Sequence, residues 1–108
     1  MKAREQAEDL ALGFGRNLLR LRRRAGLSQE EVAARAALHR TEIGLLENGV
    51  RLPRLDTILK VAGAIGEEPC DLLDGMAWES TGFKRGRFCV WGRGTPPLGG
   101  QAGHEASG

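Results

Sequence analysis

Aromatic side chains make up only 5% of the 108 residues, so the core cannot rest on stacked rings. It must come from Leu, Ile, Val and Ala, a set that suits helices. Cysteine is nearly absent. Cys70 and Cys89 stand far apart without CxxC spacing, which argues against a disulfide framework and leaves small buried hydrophobes or idle thiols. His39 and His104 have no metal-ligand spacing to those cysteines, so neither metal nor cofactor is expected. No apolar run approaches membrane-spanning length, and the opening "MKAREQAEDLALGFGR" lacks the apolar segment of a secretory leader. The expectation is a cytoplasmic protein with no membrane partner. Catalytic constellations are missing too. There is no Gly-rich phosphate loop, and neither Ser28 nor Ser80 has a histidine base near it in sequence, so an enzyme is not expected.

What the chain does have is a segregated charge pattern. The net charge is +2. Between Arg16 and Arg54 there are nine basic residues and four acidic ones, whereas Leu55 to Gly75 holds one lysine and five acids. One side of the domain should be positive and the other negative. That is the footprint of a polyanion-binding face with an acidic back, or else a solvated surface that happens to segregate.

Apolar spacing predicts an all-α domain over residues 13–75. Residues 1–12 are charged and Ala-rich, either an arm or an extension of the first helix. Phe14, Leu18, Leu21 and Ala25 follow helical spacing up to Gly26. Ser28 and Glu31 form an S-x-x-E capping box that opens a second helix with a narrow stripe of Val32, Ala33 and Ala36. "AALH" breaks it. A third helix runs from about Arg40 to Asn48, with Ile43 and Leu46 on its apolar side and Gly49 as a stop. Pro53 fits the first turn of a fourth helix, in which Leu55, Ile58, Leu59, Ala62 and Ile65 form a core stripe. "EEPCDLLDG" is a short fifth helix with Leu72 and Leu73 inward. Residues 76–91 read as a β-hairpin of "MAWES" and "RFCVW", and residues 92–108 as a disordered Gly/Pro-rich tail.

Two short helices joined by a tight turn, the second led by Arg40, Thr41 and Glu42, make a helix-turn-helix arrangement. A core helix would begin with apolar residues. A helix that enters the DNA major groove buries one face and offers the other to base edges. "LSQEEVAARAALHRTEIGLLENG" followed by "RLPRLDTILKVAGAIGEEPCDLL" resembles the five-helix DNA-binding domain of phage repressors and Cro proteins, the XRE family, over about Phe14 to Asp74. The resemblance implies that Arg40, Thr41 and Leu45 face bases. It implies phosphate contacts for Gln29, Asn48, Arg51 and Arg54, and an internal salt bridge between Arg22 and Glu47. The chain departs from the family at Ala37, where the turn usually carries Gly, and at His39, where Ser or Thr usually caps the recognition helix.

The chemistry of these side chains fits such roles. Arg40 can take guanine O6 and N7 as a bidentate pair, or a phosphate. Thr41 can touch a thymine methyl or a phosphate. Glu42 can accept from cytosine N4, or orient an arginine. Leu45 suits a thymine methyl or a protein contact. Gln29 stands at a helix N-terminus, where backbone N–H groups attract anions. The expected partner is double-stranded DNA, bound by a homodimer that represses from a palindromic operator. The same domain serves as an antitoxin in a toxin–antitoxin pair, or as a protein adaptor, and both stay open. Trp78, Phe83, Phe88, Val90 and Trp91 exceed what the helical core needs, and are the expected dimerisation surface. The alternatives are a hairpin folded back on helices four and five, an interface made by those helices alone, or a protein partner on this extension.

Overall fold

The computed structural model describes residues 3–92, with side chains from Gln6 onward. The expected disordered tail lies outside the described residues, apart from Gly92. The element order is α1 (Ala3–Arg24), α2 (Gln29–Ala36), α3 (Arg40–Glu47), α4 (Leu55–Ile65), α5 (Pro69–Leu72), β1 (Met76–Gly82) and β2 (Arg85–Val90). Of the expected arm or extension, residues 3–12 are the first turns of α1, and residues 1 and 2 lie outside the described residues.

The helix ends follow local chemistry. The Ser28 hydroxyl accepts the Glu31 N–H at 3.0 Å and the Glu31 carboxylate accepts the Ser28 N–H at 2.8 Å, completing the capping box. At the other end of α2, Ala37 adopts φ 58° and ψ 44°, the left-handed region that glycine enters without cost. The turn is thus kept with an alanine in it. Its closing bond runs from the Leu38 N–H to the Ala33 carbonyl at 2.9 Å. His39 precedes α3 in an extended conformation and makes no side-chain cap, so only backbone bonds start that helix. Asn48 and then Gly49, at φ 70°, end it.

One core joins the five helices. Phe14, Leu18 and Leu21 of α1 meet Val32, Ala33 and Ala36 of α2, Ile43 and Leu46 of α3, Val61, Ala62, Ala64 and Ile65 of α4, and Leu72 of α5. Buried Asn17 locks the last helix to α1 by donating to the Leu72 and Asp74 carbonyls, each at 2.9 Å.

The fourth helix differs from its sequence reading. Pro53 lies before it, and Arg54 is its N-cap. Leu55 and Leu59, expected in the core, are 74% and 53% exposed. Thr57, Val61, Ala62, Ala64 and Ile65 are buried in their place, with Ile58 packed at the margin. The apolar arc of α4 is wider than the strip its neighbours can cover, so its rotation puts one edge in solvent. Leu73, expected inward, is likewise exposed, because it follows the last turn of α5.

The hairpin is antiparallel, pairing Met76 with Val90, Trp78 with Phe88 and Ser80 with Gly86, with an irregularity between Ser80 and Gly82. Alternation puts Met76, Trp78, Phe88 and Val90 on one face. The base of that face packs on α1 at Gly13, where an added Cβ would stand 3.0 Å from Val90 and 3.7 Å from Met76. Trp78 and Phe88 meet edge to face at 5.0 Å, and the indole lies over Gly86. The other face carries Cys89 and an ion pair between Arg87 and Glu79 at 2.7 Å.

Candidate nucleic-acid interface

Helix α3 is short, and only Ile43 and Leu46 are fully buried on it. Eight residues cannot hold a helix alone in water, so α3 depends on what grips it. Gly15 of α1 supplies one grip. A Cβ there would stand 2.5 Å from the Leu46 carbonyl and 2.6 Å from that of Glu47, so only glycine permits this crossing. Arg22, one and a half to two helical turns further along α1, supplies the second. Its Nε and Nη2 form a fork on the Glu47 carboxylate, the Nη2 bond being 3.1 Å. Its Nη1 donates to the Leu27 carbonyl at 2.8 Å. The two side chains are 12% and 5% exposed. The hydrogen bond to Glu47 raises the Arg22 pKa above its usual value, against the opposing effect of burial. One arginine thus joins the end of α1, the entry to α2 and the end of α3.

Gln29 closes this cluster by donating from Nε2 to the Glu47 carboxylate at 2.9 Å. It is half-buried at the first residue of α2, with its amide turned to Glu47. The expected salt-bridge pair and one expected phosphate contact therefore share a single carboxylate.

The remaining site residues lie outward. Arg40, Thr41 and Asn48 are exposed, and Leu45 is half-buried. At 100° per residue they occupy one arc of α3, opposite Ile43 and Leu46. Arg51 and Arg54 are exposed in the segment between α3 and α4, so that segment adds two cations beside the arc. Arg54 stands 3.5 Å from Asp56, and Arg40 stands 4.0 Å from Glu30 of α2. Both pairs are solvent-exposed and weak, so each guanidinium can turn to another anion. Among the described residues Glu42 makes no ion pair, so it does not orient an arginine here. Glu30 takes that place beside Arg40, a contact that requires knowing how α2 and α3 cross. Gly15 was also missed in the sequence, although a glycine within a helical run is a visible signal of close packing.

Among the described residues no group of His, Cys, Asp and Glu could hold a metal ion, and no helix is long and apolar enough to cross a membrane.

Comparison with known proteins agrees with this geometry. A helix-turn-helix family model matches residues 18–72, the stretch from the middle of α1 through α5. The control protein C.BamHI of Bacillus amyloliquefaciens is 40% identical over 67 residues, covering 61% of this chain and 83% of that protein. An uncharacterized HTH-type transcriptional regulator, y4dJ of Sinorhizobium fredii, is 41% identical over 65 residues, covering 60% and 84%. The crystal structure of the restriction-modification controller protein C.AhdI from Aeromonas hydrophila has a TM-score of 0.56 and 42% identity, covering 57% of this chain and 94% of that one. The tight turn at Ala37, the outward polar arc of α3 and these matches lead to one assignment: the chain belongs to the XRE-type helix-turn-helix family of DNA-binding transcriptional regulators.

Proposed function

We propose that the chain is a dimeric transcriptional controller of the restriction–modification type, reading a palindromic operator through α3. The observation that carries this is the outward arc of Arg40, Thr41 and Leu45, flanked by Asn48, Arg51 and Arg54, on a helix clamped from behind by Arg22 and Gly15. In this reading Arg40, Thr41 and Leu45 meet base edges, and the flanking residues meet phosphates. Gln29 reaches a phosphate with its remaining N–H while its amide stays on Glu47. The likeness to C.BamHI and C.AhdI supports the controller type. A bound dimer represses wherever its operator overlaps a promoter.

A two-fold dimer sets two recognition helices about 34 Å apart, one helical turn of DNA. Two surfaces offer a seat for the second copy. The hairpin shows Trp78, Phe83 and Phe88 to solvent, while Val90 and Trp91 are half-buried against their own chain. Helix α4 shows Leu55 and Leu59, beside exposed Leu52 and Leu73. We assign the interface to α4, because its leucines are exposed on a rigid element that directly follows the Arg51–Arg54 segment. Pairing there sets both basic segments near the dyad.

The test selects bound duplexes from a random pool, then compares two variants on single-base mutants of the selected site. Arg40→Ala should relax preference at one base position in each half-site, whereas Arg54→Ala should weaken all sequences alike. Unchanged preference at every position in Arg40→Ala would remove α3 from base reading. Failure to select any duplex would favour an adaptor.

A further inference from the structure

Gly44 sits inside α3, where the chain itself has no use for a glycine. Its φ is not positive, so the backbone does not call for one. A Cβ built on it meets nothing within 4 Å, so packing does not call for one either. Its carbonyl accepts the Asn48 N–H at 3.0 Å, so the helix continues through it without a break. An interior glycine nevertheless lowers helix stability relative to alanine. In an eight-residue helix that must keep its shape to function, the cost falls on a critical element.

Its position says what the gap serves. Residues four apart stack along one row of a helix, so Arg40, Gly44 and Asn48 form one row of the outward arc, and Thr41 and Leu45 form the row next to it. The centre of the first row, between the Arg40 and Asn48 side chains, thus has no side chain. We infer that Gly44 is a specificity-determining residue: the missing Cβ lets the α3 backbone approach the base edges closely enough for Arg40 and Leu45 to reach them. The inference rests on the reading that α3 enters the major groove, and adds that its depth of entry is set at Gly44. A side chain there would act as a spacer, lifting its neighbours off the bases while leaving phosphate contacts at the flanks within reach of long arginines.

Stability and recognition should therefore move in opposite directions. Gly44→Ala and Gly44→Met are compared with the parent and with Arg40→Ala, by thermal unfolding and by titration of the full chain with its selected duplex and a scrambled one at fixed salt. Gly44→Ala should raise the unfolding midpoint by about 4 °C or more, since alanine favours the helix. It should bind the selected duplex roughly tenfold more weakly, Gly44→Met should bind it more weakly still, and neither should change on the scrambled duplex. Undiminished binding by both Gly44 variants while Arg40→Ala loses the site would overturn the inference alone. Undiminished binding by all three would overturn the groove-entry reading as well. Equal losses on both duplexes would move the contact to the DNA backbone and overturn the specificity role. A lower midpoint for Gly44→Ala would show that the fold itself needs the glycine, which also overturns it.

Discussion

Arg22→Ala removes the fork on Glu47 and the bond to the Leu27 carbonyl together. What remains at the Glu47 carboxylate is the single Gln29 amide at 2.9 Å, on a side chain only 5% exposed. Stranding one member of such a pair costs about 3 kcal/mol, the lower end of the usual range because Gln29 still serves one oxygen. For a domain of this size that corresponds to a fall in midpoint of roughly 12–24 °C. Arg23→Ala is the control. Arg23 is exposed and next in sequence, so it carries the same charge and helix propensity without the contact, and its loss should cost under about 0.5 kcal/mol. Urea unfolding of both variants reads the difference. A third variant separates attraction from burial: Arg22→Met combined with Glu47→Leu removes both charges and should recover most of the stability. Since the Arg22 pKa is raised, its contribution is fully present below the unfolded value and is lost only as pH rises through the folded one, so it should be flat across neutral pH. Equal midpoints for Arg22→Ala and Arg23→Ala would refute the reasoning.

Other positions give smaller effects of predictable sign. Ala37→Gly should stabilise the fold by roughly 1 kcal/mol, because it relieves a left-handed alanine while adding chain entropy to the unfolded state; a loss of stability would mean that the alanine methyl packs favourably there. The Glu31 carboxyl is held below the usual range, first by the Ser28 N–H and then by its hydroxyl. A depressed folded pKa gives stability that is present above the unfolded value and is lost as pH falls through the folded one, so the gap between parent and Glu31→Gln should close in acid; a gap independent of pH would count against the capping box as its source. The double variant Leu55→Glu/Leu59→Glu should sediment as a monomer and keep its melting transition, since both side chains are exposed. Trp78→Ser with Phe83→Ser should leave the dimer intact, and the reverse pattern would move the interface to the hairpin.

Helix ends were the most legible part of the fold, because their causes are local. Ser28 with Glu31, and Gly49, each act within a few residues of the boundary they make. The α1–α3 core was legible for a related reason: Ile43 and Leu46 are the apolar pair on a helix whose other side is polar, so only one rotation buries them. Helix α4 lacked that contrast. With Leu55, Ile58, Leu59, Val61, Ala62, Ala64 and Ile65 in eleven residues, several rotations bury an apolar strip, and the choice belongs to α2 and α5. The hairpin's strands were visible as alternating runs, but which face meets α1 depends on Gly13, which is distant in sequence from both strands. Contacts between distant elements, such as Gln29 to Glu47 and Glu30 to Arg40, have no single-sequence signal at all.

The way α3 is held explains how so short a helix can spend its outward face on polar residues. Its start depends on backbone bonds, because His39 offers no side-chain cap. Its end is fixed instead, by the Gly15 crossing and by the Arg22 fork on Glu47. Stability supplied from behind leaves Arg40, Thr41, Gly44, Leu45 and Asn48 without a role in the core, so they can differ between relatives without unfolding the domain. The converse also follows. Damage at Arg22 or Gly15 should weaken recognition of every operator base at once, because it frees the helix as a unit, whereas loss of the Arg40, Thr41 or Leu45 side chain alone should alter one base position at a time.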